Sequence, residues 1–151
     1  MSNKKIIGRK EKISFLDWGI ANISAKIDTG AYTSSIHCDF AEEREENGSK
    51  VLYFKLLSVL DRKYSGKELR ATNYTQKRVK NSFGEAEVRY KVSTKVRMFG
   101  EEFEAEFTLT DRSKMRNAVL IGRKLIQGRF LVDVSQVHLS TPRKNITSPT
   151  S

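Results

Sequence analysis

The chain has 151 residues and carries 28 Lys+Arg against 18 Asp+Glu, a formal net charge of +10. That length suits one domain with a sizeable core rather than two, and the charge implies attraction to something acidic: nucleic acid, an anionic membrane face or a glutamate-rich polypeptide. The single cysteine, Cys38, excludes an internal disulfide, fits a reducing compartment and reads as a small buried side chain. The basic start, residues 1–10, lacks the apolar run of a signal peptide, and no stretch is long and apolar enough to span a bilayer. The expectation is a cytoplasmic protein with no membrane partner.

In chain order the pattern is almost all strand. Residues 13–16 predict a first strand, turning at Asp17-Trp18-Gly19 into one where Ala21, Ile23, Ala25 and Ile27 alternate with Asn22, Ser24 and Lys26, the period of a half-buried strand. Residues 34–40 follow, with Ile36, Cys38 and Phe40 on one face. Residues 41–49, rich in glutamate and holding Asn47-Gly48, read as an acidic loop or hairpin turn. Residues 51–60 predict a longer, buried apolar strand and 61–67 a turn. From Ala86 to Met98 every even position is apolar or Thr, and Phe103, Ala105, Phe107 and Leu109 alternate with glutamates in the same way. A two-residue turn at Gly100-Glu101 pairs Met98 with Phe103 and sets Arg97 opposite Glu104 and Lys95 opposite Glu106. Residues 72–80, turning around 81–84, make a second hairpin that shares the long strand. Residues 118–121 and 130–134 are short apolar strands, and from Leu139 onward Ser, Thr, Pro and Asn dominate, as in a mobile tail.

Two stretches carry the chemistry. The alternating strand runs into Ile27-Asp28-Thr29-Gly30-Ala31, a carboxylate followed by a small hydroxyl residue and a glycine that lets another backbone approach closely. Far downstream stands Val119-Leu120-Ile121-Gly122-Arg123. The pair, in this order, resembles the retropepsin-like aspartic peptidases. With Thr33-Ser34-Ser35 behind the first motif and Asp111-Arg112-Ser113 ahead of the second, it is similar to one bacterial branch, catalogued as ATP-dependent zinc proteases and linked to ATP-grasp ligases of the RimK type that add glutamates to proteins. The resemblance implies an all-β fold: a closed β-barrel of the acid-protease type with a flap hairpin and one short helix. The domain would cover residues 1–138, followed by a flexible tail over 139–151. By the same analogy the flap tip falls at 81–84, and residues 123–127 form the single helical turn, ended by Gly128.

For the chemistry, the resemblance implies Asp28, Thr29 and Gly30 as catalytic residues, with Ala31, Gly122 and Arg123 in support. Peptide hydrolysis by carboxylates needs one ionised group to draw a proton from water and one protonated group to polarise the carbonyl. Two adjacent carboxylates achieve this by sharing a proton. One chain supplies one such aspartate, so the expected unit is a homodimer with Asp28 from each copy across a two-fold axis. In the family the threonine ties the two loops together through hydroxyl-to-backbone bonds. Retropepsins usually place an aspartate two residues after the motif glycine to pair with the arginine; Tyr32 stands there, which leaves the partner of Arg123 open. His37, Cys38 and His138 are the only soft ligands and no His-Glu-x-x-His helix exists. No metal is expected, despite the branch's label. No glycine-rich phosphate loop ending in Lys-Ser/Thr is present either, so the expected cofactors are none.

Between Arg70 and Arg97 eight basic residues stand against two glutamates. With Lys95 and Arg97 paired across the hairpin, Lys77, Arg78, Lys80, Arg89 and Lys91 are expected to face the cleft. A flap with that charge selects an acidic peptide or a glutamylated protein tail. A second reading stays open: a non-catalytic basic β-barrel that keeps the fold and binds nucleic acid or the ribosome surface.

Overall fold

The computed structural model describes residues 4–80 and 83–140. Its strands are β1 (Lys5–Ile7), β2 (Lys10–Phe15), β3 (Ile20–Ile27), β4 (Ser34–Glu46), β5 (Ser49–Leu56) and β6 (Leu69–Ala71). They continue with β7 (Tyr74–Lys80), β8 (Ala86–Met98), β9 (Glu101–Thr110), β10 (Val119–Ile121) and β11 (Phe130–Val132); the single helix, α1 (Arg123–Ile126), lies between the last two. Strand pairing runs β10-β3-β2-β8-β9-β4, and β10 pairs β4 as well as β3, which closes a six-strand barrel. This is the all-β, acid-protease type of barrel that the motifs implied.

Alternation produces the closure. From Val92 to Met98 the even residues of β8 are buried and the odd ones exposed, as a strand with one face on a core requires. Inside, Phe15 stacks on Trp18 with centroids 5.2 Å apart and meets Phe107 edge-on at 4.9 Å, while Trp18 reaches Phe54 at 5.7 Å. These rings join the barrel interior to the sheet beyond it. Two extensions leave the barrel: the second half of β4 with β5 and β6, and the first half of β8 with β7. Tyr74 links them, its hydroxyl donating to Glu43 and its ring set edge-on to Tyr90.

Several local expectations shift. The long hairpin turns at Phe99-Gly100, both with positive φ, so Met98 faces Glu101 and Arg97 pairs with Glu102 rather than Glu104. A tight hairpin of this kind wants glycine second in the turn, and a two-residue shift preserves parity, so the buried face is unchanged. On β3 a bulge at Asn22 (φ 52°) puts Ile20 inside and Ala21 outside. Residues 41–46 are strand, not loop: β4 runs on to Glu46 and only Asn47-Gly48 turns. Two of their glutamates are paired, Glu46 to Arg70 at 2.6 Å and Glu42 to Arg44, which also bridges Glu68 at 2.9 Å. Strand β5 stops at Leu56 because Leu57 takes φ 68°, which leaves Val59 and Leu60 exposed.

The N-terminal segment forms a strand of its own, β1, paired in parallel with β11. Behind it the fully buried Glu11 carboxylate accepts hydrogen bonds from the backbone N–H groups of Gly8, Leu139 and Ser140 and from the Ser140 hydroxyl. Leu139 and Ser140, which composition assigned to the tail, are therefore tethered to the barrel; residues 141–151 of that tail lie outside the described residues. Of the flap tip expected at 81–84, Asn81 and Ser82 also lie outside them. Among the described residues no helix is long and apolar enough to cross a membrane.

Candidate active site

Asp28 follows the last residue of β3, and its position is fixed by three strand ends. Parallel pairing of β10 with β3 sets Ile121 beside Ile27, and the Asp28 N–H donates to the Ile121 carbonyl (2.9 Å). The Ile27 N–H donates to the carbonyl of Arg9, just before β2 (2.8 Å). From there the chain turns sharply: the Gly30 N–H donates to Asp28 Oδ1 (2.9 Å) and the Ala31 N–H to the Asp28 carbonyl (3.2 Å). Asp28 is half-buried, with Thr29 and Gly30 exposed beside it.

The downstream motif holds this loop from behind. Gly122 packs so tightly that a Cβ there would stand 2.6 Å from the Thr33 carbonyl oxygen and 2.8 Å from that of Tyr32. Its N–H donates to the buried Ser34 hydroxyl (3.0 Å). The N–H groups of Arg123 and Lys124, opening α1, donate to the carbonyls of Ala31 and Tyr32. The Arg123 guanidinium donates to the Thr29 carbonyl (2.9 Å) and lies over the Tyr32 ring, 5.7 Å from its centroid. Tyr32 thus serves Arg123 as a cation–π partner where the retropepsins use a carboxylate.

One cation near Asp28 escaped the sequence reading. Arg112 is half-buried, its Nε donating to the Asn117 carbonyl (3.1 Å) and Nη1 to the Ser35 hydroxyl (3.3 Å), both neutral acceptors. Burial pulls its pKa below the usual arginine range, and the Asp28 carboxylate partly offsets this. Arg112 is the middle residue of Asp111-Arg112-Ser113, so its place in the motif was visible but its direction was not.

A cavity of about 480 Å³ lies between Tyr32-Thr33, which follow the motif, and the β7–β8 hairpin; Lys77, Arg89, Lys91 and Lys124 are among the residues lining it, and Asp28 is not. The structure brings Lys77, Arg89 and Lys91 together there. Arg78 and Lys80 do not line it, since they alternate with Lys77 and Val79 along β7. Two of the three are not free charges: Arg89 pairs with Glu87 (2.9 Å), and Lys91 shares Glu106 with Lys124. Lys124 was not foreseen; the signal was its place one residue after Arg123.

Of the three soft ligands, His37 and Cys38 have local partners, and the buried His138 Nδ1 has none among the described residues. His37 is buried with both ring nitrogens engaged, Nε2 to Asp39 (2.7 Å) and Nδ1 accepting the Arg112 N–H (2.8 Å). Burial pushes the Cys38 thiol up to about 11, and its Sγ donates to the Phe40 carbonyl.

With this geometry in hand, residues 6–143 match the family described as RimB-like, retropepsin-like aspartic endopeptidase RimB. The chain belongs to that family. A probable alpha-L-glutamate ligase of Shewanella pealeana is 32% identical over 134 residues, 89% of this chain and 29% of the relative. The corresponding protein of Desulfotalea psychrophila is 32% identical over 131 residues, 86% of this chain and 28% of the relative. The chain thus spans under a third of the curated relatives it matches. The crystal structure of Lpg0085 from Legionella pneumophila, a DUF785 protein of unknown function, superimposes with a TM-score of 0.73 at 24% identity, covering 92% of this chain and all of that one; the likeness is one of fold.

Proposed function

We propose that two copies of this chain form an aspartic endopeptidase in which a water held between the two Asp28 carboxylates attacks a peptide bond. The observation that carries this reading is the rigidly braced Asp28 loop, supported through Gly122 and Arg123, which offers a single carboxylate per chain where the chemistry needs two. A second copy would also cover surface left open here. Thr29 and Gly30 are exposed. Ile6 and Leu131, side by side on the β1–β11 ribbon, are 53% and 55% exposed, and Arg9, just beyond β1, bonds to Ile27 next to Asp28. An isologous contact there joins apolar surface to the loop that the dyad requires.

The substrate we infer is an acidic peptide or a glutamylated protein tail, taken between the motif loop and the flap hairpin. Lys77 and the paired Arg89, Lys91 and Lys124 give that cavity its positive lining, and the relatives that share this domain's sequence carry the name of glutamate ligases. The experiment is turnover of oligoglutamate against neutral peptides by unaltered protein and by Asp28→Asn. Selective cleavage lost in the variant supports the reading; equal rates in both proteins contradict it.

A further inference from the structure

Away from the cleft, the outer face of β2 and β3 and the loops at residues 57–68 and 111–118 enclose a second cavity of about 490 Å³. Lys12, Arg62, Lys63 and Arg116 line it. Among the described residues none of these four side chains enters an ion pair. Asp61, the one carboxylate in the lining, is turned to its own loop, accepting the Ser58 N–H (2.8 Å) and hydroxyl (3.2 Å). Lys10 and Lys26, partners across β2–β3, continue the positive strip. Along β3, Ser24 at the cavity rim, then Lys26, then Asp28 follow at every second position, and four residues of strand advance roughly 13 Å.

Like charges gathered without counterions repel one another and concentrate anions from solution. We propose that this face docks the acidic stretch of a polypeptide outside the cleft, holding a glutamate-rich chain while Asp28 acts on another part of it; the role of Asp28 in this rests on the peptidase reading above. Carboxylates are favoured over nucleic acid because no aromatic side chain lines the cavity to stack a base, and because a pocket of this size admits side chains rather than a duplex. The glutamate-ligase name of the relatives agrees with a polycarboxylate ligand.

The test measures binding of fluorescent oligoglutamates to Asp28→Asn protein, with and without Arg62→Gln, Lys63→Gln and Arg116→Gln, so that affinity is read apart from turnover. All three side chains are exposed, and thermal unfolding checks that the fold is kept. A long oligoglutamate should bind about tenfold more weakly to the triple variant at low salt, with the difference shrinking as salt is raised. A neutral peptide of the same length should bind both proteins alike. Equal affinity for the long peptide would overturn the proposal, and so would single-stranded RNA that outcompetes it through the same three residues. Charge-dependent docking without cleavage by unaltered protein would sustain this site and overturn the peptidase reading.

Discussion

Two basic surfaces flank the Asp28 loop, and they differ in how their charge is balanced. On the flap side, Arg89 is matched by Glu87, and Lys91 and Lys124 converge on Glu106. On the outer face of β2 and β3 the four cations lining the cavity have no ion-pair partner among the described residues. A count of charges along the sequence placed the attraction for anions in the flap, because it could not see that Glu106 of β9 lies against Lys91 and Lys124. On the proposed reading the paired surface positions the substrate and the unpaired one attracts it.

The largest effect is expected at the site between them. Asp28→Asn should abolish turnover while leaving mass and thermal unfolding unchanged, since the amide nearly preserves shape and removes the shared charge. Gly122→Ala comes next: the added methyl meets the Thr33 and Tyr32 carbonyls, so denaturant titration should show a loss of about 1–3 kcal/mol. Activity should fall further than stability, because the Asp28 loop is what shifts.

Arg112→Met is expected to separate the two quantities in the opposite way. A half-buried guanidinium with only neutral acceptors gives up little stability when an apolar chain replaces it. Yet kcat/KM should drop about tenfold, with a cation that acts on Asp28 gone. An unchanged kcat/KM would assign Arg112 to loop structure alone.

The smallest effects test the flap pairs themselves. Replacing Glu87 and Glu106 with Gln frees Arg89, Lys91 and Lys124, and should lower KM for oligoglutamate severalfold at low salt. Glu106 lies below the ordinary glutamate range because Lys124 donates to it. A depressed carboxylate stabilises the fold above its unfolded pKa and loses that contribution as pH falls through its folded value. Glu106→Gln should therefore cost under about 1 kcal/mol at neutral pH, and the difference from unaltered protein should vanish in acid.

Much of the fold was legible because parity is local information. Residues 92–98 and 103–109 announce one buried face each, and a two-residue error in the turn left those faces intact. Bulges were not legible: the positive φ of Asn22 reverses which of Ile20 and Ala21 points inward, and nothing in the alternation marks it. The glutamates of residues 42–46 looked like a loop because Arg70, the partner of Glu46, becomes a neighbour only once β6 has paired with β5. The two motifs could be read as a pair, whereas Arg112, Lys124 and the Tyr32–Arg123 contact depend on distances that no spacing encodes.

The central claim, a site made from two copies of Asp28, is tested most directly by mixing. Unaltered protein is combined with increasing Asp28→Asn protein at constant total concentration, exchanged to equilibrium, and assayed on oligoglutamate. With one aspartate from each copy, only pairs of unaltered chains are active, and the rate should fall as the square of their fraction. A rate that falls in simple proportion to that fraction would contradict the account, because each chain would then carry a complete site of its own.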